Sequence, residues 1–244
     1  MVISFFKSDI GKLRENNEDA LYVSDEHLLF LLADGMGGHL GGEIASNMAI
    51  KIIARELVDN YSKLGGNDEL NIKKAFRKAN QEILRMSQDN TKLLGMGTTI
   101  VLVKCLYNKK FYVAHLGDSR VYKWQSELKR LFKLTDDHTA LSEMKKKKIS
   151  QFMSNSSGLK HVLTKFLGSQ KYFDPELQDF QWSENDCLLL CSDGLTNMMD
   201  DKQIEKIIEE NILFGTETVC EELIRAANEA GGYDNISVIV IKNT

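Results

Sequence analysis

The succession of short apolar runs restricts the fold more than any other feature of this sequence. Runs rich in β-branched and aromatic residues, typical of strands, lie at 27–34, 98–107, 110–117, 120–124, 187–193 and 236–241. Stretches with the apolar spacing of a helix lie at 42–61, 71–86, 201–212 and 217–230. Several strands follow one another through short turns, while the helices come in separate blocks. This order predicts an α+β protein with antiparallel sheets covered by helices, and it disfavours a doubly wound parallel sheet.

Length and composition predict one globular domain over residues 1–244. The chain has 244 residues, of which 43% are hydrophobic, and this size is near the upper limit for a single core. Its 31 basic and 35 acidic residues leave a net charge of −4. Such a balance favours neither nucleic acid nor anionic lipid as the main partner.

The N-terminal stretch and the cysteines predict a cytoplasmic protein without membrane insertion. The first apolar run breaks at Lys7, too early for a signal peptide, and no later run reaches the length of a membrane span. The four cysteines contain no CxxC pair, and they lie mostly in apolar surroundings: Cys105, Cys187, Cys191 and Cys220. We therefore expect buried thiols rather than disulfides or zinc ligands.

Acidic residues recur where strand-like runs begin, end or turn. Six of them share this placement: Glu18, Asp19, Asp34, Asp118, Asp193 and Asp234. If they converge on one cleft, neighbouring carboxylates raise one another's pKa and destabilise the fold unless a positive charge lies among them. Lysine is absent from these motifs and histidine is scarce. The expected counter-charge is therefore a hard divalent cation bound by oxygen, Mg²⁺ or Mn²⁺.

A glycine-rich stretch follows Asp34, with five glycines between residues 35 and 42. Such freedom would let a backbone carbonyl, most simply that of Gly35, reach an ion as a further oxygen ligand. Two ions about 3.5–4 Å apart hydrolyse phosphate esters, because together they make hydroxide from water and neutralise the developing charge. The planar fork of Arg14 suits two oxygens of a phosphoryl group.

Each of these motifs also has a simpler interpretation when taken alone. The glycine-rich stretch after Asp34 could be a plain turn, the segment around Asp118 a hairpin, and Asp234 with its neighbour a turn before a strand. Ser119 lacks the GxSxG spacing of a nucleophile. His39, close to the glycines, stays open as a functional residue.

Eight motifs occur in one order between Gly11 and Ser237. They are G-x-x-R-x-x-N-E-D, A-D-G-M-G-G-H, G-M-G-T-T, G-D-S-R-x-Y, L-T-x-D-H, L-T-x-x-L-G, S-D-G-L and D-N-I-S. The chain closely resembles the bacterial branch of the type 2C metal-dependent protein phosphatases, the PPM family, over nearly its whole length. The resemblance implies a four-layer αββα sandwich with a two-metal centre at one edge, acting on phosphoserine and phosphothreonine.

The resemblance also implies a set of metal ligands. Asp34 would bridge two Mg²⁺ or Mn²⁺ ions, Gly35 would offer its carbonyl, and Asp193 and Asp234 would hold one ion. Asp118, together with Asp193, matches the residues that bind a weaker third ion in bacterial members.

Further roles come from matching positions. Arg14 would bind the phosphate, Glu18 and Asp19 would act directly or through metal-bound waters, and Asn235 would support the ligands. The implied mechanism is direct in-line attack by a metal-bridging hydroxide, without a phosphoenzyme.

The chain departs from the family in two places. Animal members carry a histidine where this chain has Met36, so His39 or a metal-bound water would have to protonate the leaving group. The flap expected at about 138–168 lacks the His-Pro pair of bacterial relatives and has His161 at the position of their asparagine. The lysines at 145–148 in this surface insertion lead to the hypothesis that acidic phosphosubstrates are favoured.

The expected function is a Ser/Thr phosphoprotein phosphatase that opposes a bacterial Ser/Thr kinase and acts as a monomer. An alternative is a catalytically inactive binding module with the same fold. The intact set of Arg14, Asp34, Asp193 and Asp234 disfavours that alternative. A two-metal nuclease would need a basic groove that the net charge does not supply.

Overall fold

A computed structural model describes residues 1–38, 40–59, 67–106, 109–147 and 157–244. The strands of this part are β1 (Val2–Asp9), β2 (Asp19–Ser24), β3 (Leu29–Met36), β4 (Gly97–Thr98), β5 (Ile100–Cys105), β6 (Lys110–Leu116), β7 (Arg120–Gln125), β8 (Arg130–Lys133), β9 (Glu176–Gln181), β10 (Cys187–Cys191) and β11 (Ile236–Asn243). The helices are α1 (Gly41–Leu57), α2 (Asp68–Asp89), α3 (Ala140–Lys146), α4 (Asp193–Thr196), α5 (Asp201–Asn211) and α6 (Thr216–Glu229), with short 3₁₀ helices at Thr91–Leu93 and Ser157–His161.

The strands form two sheets in which every paired strand is antiparallel to its neighbour. One sheet has the order β1-β11-β10-β7-β8. The other has the order β2-β3-β5-β6-β9, with β4 paired to the end of β3. The predicted α+β class with antiparallel sheets is confirmed.

Alternation along the strands builds three layers of core. In β3, Leu31 faces α1 and α2, whereas Leu32 points into the space between the two sheets. In β10, Leu190 faces the same space, whereas Leu189 packs against α5 and α6. Successive side chains of a strand point to opposite faces, so each sheet covers two cores at once. The four-layer αββα sandwich is therefore confirmed.

Local signals fix where the covering helices begin. The Asn67 side chain accepts a hydrogen bond from the backbone N–H of Leu70 at the start of α2. Asp200 and Gln203 form a reciprocal capping box at the start of α5. Both arrangements satisfy N–H groups that the first turn of a helix cannot pair.

The strands outside the six predicted runs are β1, β2, β8 and β9, and each lies at the edge of its sheet. An edge strand is partly solvated, so its sequence carries more polar residues than an interior strand. Two predicted runs also end differently. The run 98–107 is interrupted at Thr99, between β4 and β5, and the run 187–193 stops at Cys191 because Asp193 opens α4.

The flap region contains α3 and the 3₁₀ helix Ser157–His161, and no residue of α3 is buried. Its two ends are joined, since the N–H of Ala140 donates to the carbonyl of Val162 and Thr139 pairs with Leu163. Of the predicted lysine run, Lys148 lies outside the described residues.

All four cysteines are buried and free, as predicted. Burial raises the pKa of each thiol to about 12, so none is a reactive thiolate at neutral pH. Within the described part of the chain, no helix combines the length and the apolar character that crossing a membrane requires.

Candidate active site

Four strand ends bring the predicted acidic residues to one edge of the sandwich. Asp19 opens β2 and lies opposite Asp34 near the end of β3. Asp193 follows β10, and Asp234 precedes β11, which is the antiparallel neighbour of β10. The antiparallel pairing therefore places carboxylates from both sheets around one cleft.

The electrostatics of this edge show how closely the carboxylates approach. The pKa of Asp34 is raised well above its ordinary value, mainly by burial and then by repulsion from Asp19, Asp193, Asp118 and Asp234. Burial, with repulsion from Asp193, also raises the pKa of Asp19 and that of Asp118 to about 7. The carboxylates thus repel one another, and the positive charge near them does not offset that repulsion.

One oxygen marks this deficiency directly. The Oδ1 atom of Asp19 is buried and has no hydrogen-bond partner among the described residues, while its Oδ2 atom accepts a hydrogen bond of 2.9 Å from Ser192. An unpaired buried carboxylate oxygen is costly, and a hard cation satisfies it. The all-oxygen donor set therefore fits Mg²⁺ or Mn²⁺.

Neighbouring amides orient the acids. The Nδ2 atom of Asn197 donates to Oδ2 of Asp193 over 3.0 Å. The Asn235 side chain hydrogen-bonds to the backbone on both sides of Arg14. Its Nδ2 donates to the carbonyls of Ile10 and Asn16, and its Oδ1 accepts from the N–H of Glu18. Asn235 thereby fastens the segment that carries Arg14 and Glu18 to the start of β11.

The glycine-rich stretch is explained first by close packing. A Cβ atom on Gly35 would lie 2.1 Å from the carbonyl oxygen of Gly42, so only glycine lets the start of α1 meet the end of β3. A Cβ on Gly42 would lie 2.7 Å from the carboxyl carbon of Glu18. The missing side chains leave room for the Glu18 carboxylate beside the N-terminus of α1, where the helix dipole favours a negative charge.

Asp118 lies in the turn between β6 and β7. Its neighbour Ser119 is buried, and the Ser119 hydroxyl bonds to the Thr99 hydroxyl at 2.7 Å. Thr99 makes two hydrogen bonds with the backbone of Asp34. Its Oγ1 atom accepts from the Asp34 N–H, and the Thr99 N–H donates to the Asp34 carbonyl. The contacts hold the Asp118 turn against the end of β3, and they show Ser119 in a structural position.

Arg14 is half-exposed, and its Nη2 atom donates to Oδ2 of Asp234 over 2.7 Å. It borders an open cleft of about 300 Å³ lined by Leu13, Arg14, Glu15, Asn16, Glu18 and Gly37. The guanidinium is thus available beside the acidic edge.

The remaining predicted residues are His39 and the lysines of the flap. His39, the candidate general acid, lies outside the described residues. Lys146 pairs with Asp136 at 2.9 Å, and Lys147 lies 4.0 Å from Glu143, so part of the lysine run is neutralised locally.

Sequence reasoning gave His161 no role, although it noted the residue as a departure in the flap. Its Nδ1 atom lies 4.0 Å from Oδ2 of Asp193. The only sequence signal was its place three residues before Thr164, in the flap motif.

A second cluster of titratable side chains contains two histidines and was not predicted from the sequence. Among the described residues, the one set of three His, Cys, Asp or Glu side chains whose ligand atoms all lie within 4.8 Å of one another is His115, His138 and Glu176. No three of the edge acids meet this limit with their side chains as they stand, although Asp193 and Asp34 are in contact.

Comparison with known proteins decides what this edge belongs to. The family model "Protein phosphatase 2C" matches residues 24–236. The chain belongs to the protein phosphatase 2C family. The predicted family, and with it the prediction of a protein phosphatase, is confirmed.

Relatives of this phosphatase 2C chain cover nearly its full length. It is 34% identical to the protein phosphatase PhpP of Streptococcus pneumoniae over 96% of this chain and 94% of PhpP. It is 31% identical to the serine/threonine phosphatase stp of Listeria innocua over 97% of this chain and 94% of that protein. The structure of the catalytic domain of serine threonine protein phosphatase PstP in complex with two manganese ions superposes with a TM-score of 0.84 at 29% identity, covering 99% of this chain and 97% of that one.

Proposed function

We propose that this phosphatase 2C chain hydrolyses phosphoserine and phosphothreonine in proteins and depends on Mg²⁺ or Mn²⁺. The observation that carries the proposal is the cluster of mutually repelling aspartates with an unpaired buried oxygen on Asp19, next to the exposed guanidinium of Arg14. The two manganese ions of the PstP complex and the names of the stp and PhpP relatives support it.

The residues at the edge take the following roles in this proposal. Asp34, the carbonyl of Gly35, Asp193 and Asp234 would hold the divalent ions. Asp118, with Asp193, holds a third, weaker ion. The raised pKa values of Asp34 and Asp118 support these assignments, because such carboxyls are stabilised as anions once a cation is near.

Residues around the ligands act through contacts. Glu18 and Asp19 reach the ions directly or through water, and Asn235 keeps the Arg14 segment in place through its three backbone hydrogen bonds. When bound, the ions lower the pKa of a water molecule and neutralise charge on the phosphoryl group. Arg14 binds two phosphoryl oxygens and so fixes phosphorus for in-line attack.

Water attacks phosphorus directly in this proposal. A new bond forms between the water oxygen and phosphorus as that water gives up a proton, the bond to the Ser or Thr oxygen breaks, and the Ser or Thr oxygen takes up a proton. No covalent phosphoenzyme is required, in keeping with a buried, hydrogen-bonded Ser119. Either His39 or a metal-bound water would donate that proton.

We further propose a single domain over residues 1–244 that works as a monomer in the cytoplasm against a bacterial Ser/Thr kinase. The reduced, buried thiols are compatible with a reducing compartment. The complete set of edge carboxylates and Arg14 favours an active enzyme over an inactive binding module.

The test is phosphate release from a phosphothreonine peptide with Mn²⁺, with EDTA, and in the Asp193→Ala variant. We expect activity only in the wild type with Mn²⁺. Asp89→Ala, an exposed acid on α2, is the matched control and keeps full activity. Activity that survives EDTA would reject metal dependence, and an inactive wild type that still binds Mn²⁺ would support the binding-module alternative.

A further inference from the structure

The turn that carries Asp118 is held by one short segment, residues 135–138, which we name the clamp segment. The Oγ1 atom of Thr135 accepts from the N–H of Val121 at 3.1 Å. Asp137 accepts two hydrogen bonds from Arg120, at 2.8 and 2.7 Å. Thr135 and Asp137 of the clamp segment thus hold the chain that follows Asp118.

His138, the last residue of the clamp segment, holds the chain just before Asp118. Its Nδ1 atom accepts from the N–H of Gly117 at 3.1 Å, and its own N–H donates to the Gly117 carbonyl at 3.0 Å. Gly117 adopts a φ of 110°, a conformation that favours glycine, so the geometry of this turn is demanding. His138 is buried, so water does not compete for these two hydrogen bonds.

The second ring nitrogen of His138 faces another part of the molecule. Since Nδ1 accepts a hydrogen bond, Nε2 carries the proton, and it donates to Oε1 of Glu176 on β9 at 2.8 Å. Lys165 donates to the same oxygen at 2.8 Å. Lys165 lies near the C-terminal end of the flap, which we call its foot, so this side of His138 is connected to that foot.

The backbone of His138 makes the same connection. The N–H of Thr164 donates to the His138 carbonyl at 2.8 Å, and the next residue, Thr139, pairs with Leu163. Both ends of the flap therefore meet at His138. The flap in turn brings His161 to 4.0 Å from Asp193.

The compact set of His115, His138 and Glu176 could also be taken for a metal site. The rings of His115 and His138 stack with centroids 4.6 Å apart and an interplanar angle of 7°, and lone pairs in two parallel planes do not converge on one ion. The ammonium of Lys165 lies 2.8 Å from Glu176 and 3.4 Å from His138, where a cation would have to sit. The cluster is internally satisfied, so its role is one of position.

We propose that His138 is a positioning residue with two separable tasks: Nδ1 sets the turn that carries Asp118, and Nε2 sets the foot of the flap through Glu176 and Lys165. The inference rests on the proposed role of Asp118 in binding a divalent ion. It adds that one buried imidazole links a metal ligand to the segment that borders the substrate.

Two substitutions separate the tasks, because the amide of asparagine can replace Nδ1 and the amide of glutamine can replace Nε2. His138→Gln keeps the donor to Glu176 and loses the acceptor for Gly117, so we expect the weakest Mn²⁺-binding step to lose about tenfold in affinity. His138→Asn keeps the acceptor and loses Glu176, so we expect KM for a phosphopeptide to rise about fivefold, the equivalent of one hydrogen bond. Its Mn²⁺ affinities stay at the wild-type level.

Free Mn²⁺ measured by electron paramagnetic resonance gives the binding steps without reference to activity, and steady-state kinetics gives KM and kcat. Cys220→Ala is the matched control: it alters a buried side chain in the core beneath α5 and α6, which has no contact with the clamp segment, and should lower stability while moving neither readout. A merely structural His138 would shift both readouts together in both variants, and that result would overturn the inference.

Lys165→Met repeats the second half of the test without altering His138, in case the His138 variants fold poorly. It should raise KM and leave Mn²⁺ binding unchanged; weakened Mn²⁺ binding would count against separable tasks. A wild-type chain that binds no Mn²⁺ would reject the proposed function and this inference together. Normal Mn²⁺ binding in the wild type and in folded His138→Gln would reject the inference alone.

Discussion

The protein contains two clusters of ionisable groups, one of buried carboxyls and one around the buried His138, whose charge balance is opposite. At the edge of the sandwich, the pKa values of Asp19 and Asp118 are raised to about 7, chiefly by burial and then by other carboxylates. In the cluster of His138, Glu176 and Lys165, hydrogen bonds to Lys165 and His138 overcome burial and lower the pKa of Glu176 to about 2. Repulsion between carboxylates dominates the first cluster, where Arg14 pairs only with Asp234, whereas the second cluster contains its own cation in Lys165.

The comparison shows that distance alone is a poor guide to a metal site. The three side chains whose ligand atoms lie closest together are those of the compensated cluster, where an ammonium group occupies the centre. No three of the edge acids lie so close together, but they leave an oxygen unpaired. Uncompensated charge, rather than proximity, marks the place for an ion.

The largest expected effect comes from removing a central charge at the edge. Asp34→Asn should lower kcat by at least about 10²-fold, because it removes preorganised charge stabilisation. In EDTA the same variant should unfold at a higher temperature than the wild type, since it relieves repulsion on Asp19 and Asp193. Calorimetry and single-turnover assays check both effects; a lower unfolding temperature in EDTA would break the comparison.

The pH dependence of stability should also separate the clusters. Asp19 and Asp118 have folded pKa values above the unfolded value of 3.8, so the folded state holds protons that the unfolded state releases. The metal-free protein should therefore lose stability as pH rises from about 4 to about 7, by roughly 4 kcal/mol for either carboxyl taken alone. Urea unfolding in EDTA measures this.

Saturating Mn²⁺ should reverse that slope, because the ion binds the ionised carboxylates and only in the folded state. Glu176 behaves in the opposite sense. Its folded pKa is depressed, so its contribution is present above about pH 4.5 and is lost as pH falls towards 2. A metal-free protein that gains stability between pH 4 and 7 would contradict the assignment of the edge as uncompensated.

Substituting Arg14 tests the role of the guanidinium at the edge. Arg14→Ala should lower kcat/KM by about 10- to 100-fold, the equivalent of lost charge-assisted hydrogen bonds to phosphate, and Arg14→Lys should recover only part, since a lysine cannot form a planar fork. Mn²⁺ binding should not weaken, because the substitution frees Asp234. An equal loss of Mn²⁺ affinity would mean that Arg14 serves to hold Asp234 instead.

Glu176→Gln probes the compensated cluster. The free energy of unfolding should fall by about 1–2 kcal/mol, because Lys165 and His138 lose a charged acceptor. Mn²⁺ affinities should stay unchanged, and EDTA should not alter the loss. Gln178, a neighbour on the same strand, offers a control substitution to alanine.

The sequence predicted the interior strands because their apolar runs are long, and it failed at the edge strands. In β9, two exposed polar residues stand between Leu177 and Phe180, which face different cores, so no apolar run is visible. The aspartates of the site were predictable because each stands at a strand end. The order of the four layers came from the family resemblance rather than from periodicity.

The contacts that complete the site were not predictable from the sequence. Ser192 donates to Asp19 across 173 positions, and Asn235 accepts from Glu18 across 217. Such pairs depend on which strands become neighbours, and local patterns carry no information about that. His138 was likewise visible only as one letter of a motif until its two ring nitrogens were seen to face different segments.

The smallest effect is expected at the lysines of the flap. Lys146 and Lys147 have acidic partners in Asp136 and Glu143, and exposed pairs of this kind contribute only about 0.2–1 kcal/mol. Replacing residues 145–148 by glutamine should therefore change the ratio of kcat/KM on acidic and basic phosphopeptides by no more than about fivefold, and less at high salt. No change at low salt would reject the preference for acidic substrates. A much larger change would show that the lysines leave their partners when substrate binds, and that charge balance in the unliganded protein does not describe the flap.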